Sequence, residues 1–380
     1  SGGGAPIGLE RATFGLALAF GLASHAMLAL GLLGLLHAWL VAAVLLGLSA
    51  LVRGDLLAIG RDGWRGVVGV WSSRATIPEP WFRLPLLALL VAWTVLVLIE
   101  TLPPEIFYDA ANYHLALPDL YAEQHRIVPT PYRIHSYLSL GTEMLYLLAL
   151  LLGGESAARL TSLAFGILTA LGMFAFARQW LSARAGLLAA ALFATTPLVA
   201  WEASVAFVDL ALSAYGFFAV AAAHRWLGDR RPGWLILAGL MAGFALSAKL
   251  NALFLLGGLG LALLLVVLAD RDRAWPARFR ALLSFGGAAL LSGAPWPLFR
   301  WVQTGNPVFP FFNHLFQSPL APAVYDPLNL DEHSIGTSLA SLLRLPWAMT
   351  FESGAVFNVG QPSGILGLGL LVVPLLAAGR

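Results

Sequence analysis

An all-α bundle lodged in a lipid bilayer is the fold this sequence predicts, and three observations predict it. The 380 residues are 59% hydrophobic and only 11% charged, with a mean hydropathy of +0.80. Soluble domains carry roughly 25% charged residues, so too little polar surface remains here to coat a water-soluble globule. The apolar residues also gather into long blocks, many near the ~20 residues a helix needs to cross a hydrocarbon core. Finally, lipid offers backbone N–H and C=O groups no partner, so such blocks must close their hydrogen bonds internally as helices. The chain has no cysteine, which excludes disulfides, thiolate metal sites and cysteine nucleophiles.

Taken in order, about ten spans are predicted: Thr13 to Leu36, Ala38 to Leu51, Leu84 to Ile99, Ala157 to Phe176, Ala185 to Val199, Phe207 to Ala223, Trp234 to Ala248, Leu250 to Leu268, Ala281 to Phe299 and Gly364 to Ala378. The first is too long and unbroken for a signal peptide and reads as an anchor. Several are short and must borrow flanking residues or sit where the bilayer thins. Gly239 and Gly243 form a G-x-x-x-G, which reads as close helix packing. Nothing resembles a separate soluble domain, so residues 1–380 form one transmembrane unit. Arg380 follows the last span directly, and further protein is expected downstream.

Arginine placement orients the spans. One set of loops holds Arg53, Arg61, Arg65, Arg74, Arg83, Arg178, Arg184, Arg225, Arg230, Arg231, Arg271, Arg273, Arg278 and Arg280; the opposite set holds only Arg126, Arg133, Arg159, Lys249, Arg300 and Arg344. Fourteen against six makes the first set cytoplasmic. The outer face then receives two large loops, about 100–156 and 300–363. The apolar stretch His135 to Gly154 would invert this order if it crossed, and it carries Glu143, costly at bilayer depth. It is expected to lie in the outer interface as an amphipathic helix; a spanning helix with a buried Glu143 is the alternative.

Acids do not set orientation, so their position is separate evidence, and thirteen of the twenty fall on the outer side. Asp109 stands where a helix should begin, with Tyr113 and His114 one turn on and Pro118 expected to bend or end that helix. It suits proton abstraction from a hydroxyl, and equally suits capping of free N–H groups. Asp209 lies near the outer end of a span, where an ionisable group marks a functional position or again a cap. Glu202, in the same joint, is expected to be more exposed. Lys249 is the one lysine beside 21 arginines, which points to a compact ammonium meeting a phosphate, or to a side chain snorkelling from a helix end. Arg133 and His135 open the interfacial helix and add positive charge near the surface. No nucleotide-binding glycine loop and no H-E-x-x-H occurs, so an activated substrate should arrive in the lipid.

Five stretches carry a resemblance: "YDAANYHLALPDLY", "GGESAARL", "AFVDLALSAYGFF", "GLMAGFALSAKLNALF" and the outer "GNPVFPFFN", in matching order from Leu84 to Asn313. Together they resemble the GT-C superfamily of integral membrane glycosyltransferases, in the bacterial branch related to protein O-mannosyltransferases and the lipid A aminoarabinose transferase. The resemblance implies a GT-C-like bundle of about ten transmembrane helices with two interfacial helices, Asp109 to Ala122 and His135 to Leu152, in the first outer loop. It implies a glycosyltransferase of the bacterial inner membrane, with its site facing the periplasm. The sugar would pass from a polyprenyl-phosphate donor to a lipid, glycan or protein hydroxyl, with no nucleic acid involved. Asp109 takes the position of the catalytic acid or base and Asp209 that of the second acid. Tyr113, His114, Arg133, His135, Glu202 and Lys249 fall on substrate-binding positions. Ala110 stands where many relatives carry a second acid, so no cofactor is expected. A divalent cation held by Asp109, Asp209, Glu202 and His114 is the alternative. A transporter or flippase of lipid-linked sugars is the other reading, although the acids sit at one boundary and no inverted repeat is evident.

Overall fold

The computed structural model describes residues 8–72, 79–320 and 338–352. Helices make up most of these residues, with no strand among them: α1 (Gly8–Leu32), α2 (Ala38–Leu51), α3 (Arg53–Ser72), α4 (Pro80–Glu100), α5 (Ala116–Glu123), α6 (Gly141–Trp180), α7 (Ala183–Ala194), α8 (Pro197–Ser204), α9 (Asp209–Asp229), α10 (Pro232–Ala248), α11 (Ala252–Ala269), α12 (Trp275–Gly293), α13 (Pro295–Thr304), α14 (Asn313–Phe316) and α15 (Leu339–Phe351). Proline opens α4, α8, α10, α12 and α13 in the first two positions, where its missing N–H has no partner to lose.

Ion pairs separate the bundle into two ends. Arg11 meets Asp62, Arg184 meets Glu79, Arg225 meets Glu10 and Gln179, and Arg230 and Arg273 meet Asp270. These contacts tie together the starts of α1, α4, α7 and α12 with the ends of α6, α9 and α11. At the opposite end, Arg159 joins the end of α4 to the end of α8, and Lys249 joins the α10–α11 joint to the start of α9. Successive apolar segments therefore alternate between an arginine-rich end and an end that gathers the candidate site. The predicted separation of charges is seen in the packing.

The core between these ends is built on small residues. A Cβ added at Gly239 would lie 2.2 Å from the Phe285 carbonyl oxygen, and one at Gly243 would lie 2.0 Å from Ser292 Oγ. Only glycine lets α10 and α12 approach this closely, which confirms the G-x-x-x-G reading. Phe14, Phe218, Tyr215 and Phe244 fill the space between α1, α9 and α10.

Several expectations need correcting. Among the described residues four helices are long and apolar enough to cross a membrane, or up to seven if each bent pair makes one span. Ala38–Leu51 has 14 residues and bends 80° into α3; α7 bends 64° into α8, and α12 bends 49° into α13. The predicted span Gly364 to Ala378 and much of the loop at 300–363 lie outside the described residues. The segment His135 to Gly154 is not an amphipathic surface helix. It opens as a short 3-10 turn, Ile134–Tyr137, and then enters α6, whose residues Gly141 to Leu147 are all buried. They are buried because α1 covers one face and α5 another. The segment is nonetheless distinct from the crossing part of α6, because Gly154 breaks the helix at φ 78° and ψ −168°, a conformation essentially confined to glycine. Pro118 neither bends nor ends its helix. It sits in the first turn of α5, where no N–H is needed, and α5 runs on to Glu123.

Candidate active site

The site begins with the chain leaving α4. Glu105 accepts hydrogen bonds from the backbone N–H groups of Ile106 (3.0 Å) and Phe107 (2.9 Å) through one oxygen, and from Ala206 (3.2 Å) through the other. Arg159 lies 3.5 Å from the same carboxylate and donates to the carbonyl oxygens of Ser204, Glu100 and Pro103. This buried clamp fixes the turn that launches Asp109.

Residues Ala110–His114 then form a single π-helical turn, closed by Leu115 N–H donating to the Ala110 carbonyl at 2.9 Å. Such turns widen the helix and concentrate at functional positions. Asp109 has helical dihedrals and makes no capping hydrogen bond, so the capping alternative is not realised. Its carboxylate is half-buried and has no hydrogen bond or ion pair among the described residues, but it acts electrostatically on Tyr113 and His135. Those two rings stack, with centroids 4.1 Å apart and planes 11° from parallel. Burial pushes the Tyr113 phenol above its ordinary range, with Asp109, Glu143 and Asp209 adding to the effect. The phenol is therefore a neutral donor at neutral pH. Burial lowers the His135 pKa from 6.5, against the pull of Asp109 and with help from His114 and Arg133. Burial thus disfavours the cationic form of His135.

Arg133 donates from Nη1 to the Asn112 carbonyl at 2.8 Å, holding it against the π turn. His114 turns inward, and its Nδ1 lies 2.7 Å from Glu143 Oε1 with both side chains buried. The sequence marked Glu143 only as a cost; in the fold it is the partner that holds His114. Asp209 opens α9, and Lys249 Nζ donates to both its oxygens at 2.7 and 2.9 Å, each side chain 38% exposed. Neither caps nor snorkels; the two unusual charges pair with each other. Glu202, expected to be exposed, is 8% exposed because α8 folds back into the bundle, and one carboxylate oxygen has no hydrogen-bond partner.

A cavity of about 190 Å³ opens between these parts, lined by Tyr113, His114, Glu143, Lys249, Asn251 and Phe311. Its last wall comes from "GNPVFPFFN". Gly305 ends α13 at φ 73°, and the Asn306 side chain accepts from Val308 N–H and donates to the Phe311 carbonyl. Arg300 buckles this loop to the 134–140 segment, donating to the carbonyls of Tyr137 (2.8 Å) and Pro307 (3.0 Å) and to Ser139 Oγ (2.9 Å). Arg300 and Arg159 were counted in the sequence only as loop charges. The structure makes both of them buried fasteners of the site.

Among the described residues no three His, Asp or Glu side chains form a group that would hold a metal ion. Of the alternative set, Asp209 spends both oxygens on Lys249 and His114 spends Nδ1 on Glu143. As placed, these residues do not fit a divalent cation.

Residues 144–298 match the family described as dolichyl-phosphate-mannose-protein mannosyltransferase, a domain of the GT-C superfamily. The matched stretch runs from within α6 into α13 and contains Arg159, Glu202, Asp209 and Lys249. Asp109, Tyr113, His114, Arg133 and His135 precede it. No curated protein and no solved structure matches the chain.

Proposed function

We propose that this chain, whose residues 144–298 match a mannosyltransferase family of the GT-C type, moves a sugar from a polyprenyl-phosphate donor to an acceptor hydroxyl on the periplasmic side of a bacterial inner membrane. The donor sugar sits in the cavity beside Lys249 and Phe311, with the lipid phosphate towards Arg133 and Lys249. The acceptor hydroxyl approaches Asp109. As its oxygen attacks the anomeric carbon, the bond from that carbon to the phosphate oxygen breaks. The hydroxyl proton passes to the Asp109 carboxylate, and polyprenyl phosphate leaves with the bonding pair. Arg133 and Lys249 offset the charge growing on the phosphate, and the neutral Tyr113 phenol donates a hydrogen bond to it or to the sugar.

One observation supports this assignment above the others. Of the two candidate catalytic acids, Asp209 is committed through both oxygens to Lys249, while Asp109 has no side-chain partner among the described residues, is half-buried, and acts electrostatically on Tyr113, which lines the cavity. A base must reach its proton with an unpaired oxygen, so Asp109 takes that role and Asp209 positions Lys249. The reading requires no cofactor. Purified protein in lipid, given polyprenyl-phosphate mannose and a hydroxyl acceptor, should release polyprenyl phosphate and glycosylate the acceptor, with or without a chelator. Movement of the donor across the bilayer without glycosyl product would favour the transporter reading. Loss of transfer on chelation would restore the metal.

A further inference from the structure

A second built cavity lies at the arginine-rich end, remote from the proposed active site. It encloses about 470 Å³ between the α9–α10 joint and the start of α12, and Trp226, Arg230, Arg273, Arg280, Leu235 and Ser284 line it. The two short segments that form its mouth, 229–231 and 270–280, hold six arginines against three aspartates. Three guanidiniums line the cavity, and two of them share one carboxylate beside it, Asp270, which lies 3.8 Å from Arg230 and 3.3 Å from Arg273. Two positive charges are left over.

The arginines are aimed into the cavity. Arg230 adopts a left-handed backbone, φ 56°, that ends α9 and folds its guanidinium over the Trp226 ring at 4.4 Å. Its Nη1, the atom that faces Asp270 at 3.8 Å, is buried and makes no hydrogen bond. Arg280 spends Nε on the Pro276 carbonyl and leaves its terminal nitrogens uncommitted among the described residues. Guanidiniums held this way match the oxygens of a phosphate.

Exposed side chains beside the cavity fit the depth of a lipid headgroup. Trp275, Phe279 and Leu283, spaced four residues apart on α12, are 60%, 50% and 55% exposed and form a ridge beside the mouth. Aromatic side chains followed by an aliphatic one, next to arginines, mark the passage from headgroup region to hydrocarbon. Leu235, Ala281 and Leu283 supply an apolar wall below the arginines, where acyl chains would begin. We propose that this cavity binds the phosphate of an anionic phospholipid from the leaflet bordering the arginine-rich end, and that this lipid braces the α9–α10 joint against α12.

The test uses the full chain in phosphatidylcholine nanodiscs titrated with phosphatidylglycerol, reading retained lipid by native mass spectrometry and the melting temperature. Wild type should retain phosphatidylglycerol and melt higher with it. The R273Q/R280Q double variant should lose retention by about 10- to 30-fold, since each arginine near an anionic headgroup contributes roughly fivefold. R280Q alone, which breaks no ion pair, should show a partial loss and keeps the test readable if the double variant folds poorly. R271Q removes a neighbouring charge outside the lining and should behave as wild type. Equal losses in R271Q and R280Q would reduce the effect to diffuse charge and overturn the proposal. Unchanged retention in the double variant would overturn it as well. Inorganic phosphate in phosphatidylcholine alone should give no comparable shift; if it does, the cavity takes free phosphate and the lipid assignment falls.

Discussion

Replacing Arg300 by methionine should cost the protein about 3 kcal/mol of stability and most of its activity. The guanidinium is completely enclosed and joins two segments to α13 through bonds of 2.8, 3.0 and 2.9 Å to Tyr137, Pro307 and Ser139. Methionine fills similar space, so no large cavity opens. Two carbonyls and a hydroxyl are nevertheless left without their donor, at about 1–3 kcal/mol for each buried group that finds no other partner. Relief from holding a charge out of water returns part of that cost, and about 3 kcal/mol remains. The segments released are 134–140, which carries His135, and 305–311, which carries Phe311, so transfer should fall together with stability. Arg300→Lys keeps the charge and recovers one or two bonds, and should lie midway. Chemical unfolding in a defined detergent, run beside the transfer assay, reads both quantities. If Arg300→Met unfolds within about 0.5 kcal/mol of wild type, inside the ordinary range for surface changes, the buckle holds nothing and the reasoning fails.

Lys249→Met and Asp209→Asn should each lower transfer about 10- to 100-fold while changing stability by no more than about 1 kcal/mol, because the pair is partly exposed and screened; a double variant no slower than either single one would show that the two act as a unit. His135 has a folded pKa below its unfolded value, so the unfolded chain binds more protons between the two. Stability should therefore fall as pH drops from about 6.5 through the folded pKa. His135→Asn should flatten that loss in a pH series of melting temperatures, and an unchanged slope would remove His135 as its source. Gly154→Ala meets no atom within 4 Å, so its cost is purely that of the left-handed backbone, about 1–3 kcal/mol by thermal unfolding; a neutral result would mean that α6 is not obliged to break there.

The parts of this fold that the sequence made legible are those where lipid removes alternatives. An apolar run such as Ala252–Ala269 has no option but helix, and arginines segregate to one end because of how chains enter membranes. Gly239 and Gly243 advertised close helix packing, which is found against α12. Pairings between distant residues were not legible. Lys249 and Asp209 each stood out as unusual, yet nothing local says that residues 40 apart will meet. Glu143 looked like an expense because its partner, His114, lies 29 residues upstream on a different segment. Glu202 was expected to be exposed because it lies in the joint beyond the Ala185 to Val199 span; the chain instead bends 64° there and Glu202 is buried. Arg300 carried one usable signal. It stands in "PWPLFRWVQT" with Trp296 and Thr304 one turn to either side, both buried, and a charge on such a face needs enclosed partners.

The central claim is that the Asp109 carboxylate takes the acceptor's proton. Asp109→Asn keeps size and shape and removes only the basic oxygen. Measured in reconstituted protein with saturating donor, its transfer rate should fall about 10²- to 10⁴-fold, the usual contribution of a general base, while donor binding and melting temperature stay at wild-type values. Transfer by Asp109→Asn at the wild-type rate would contradict the account.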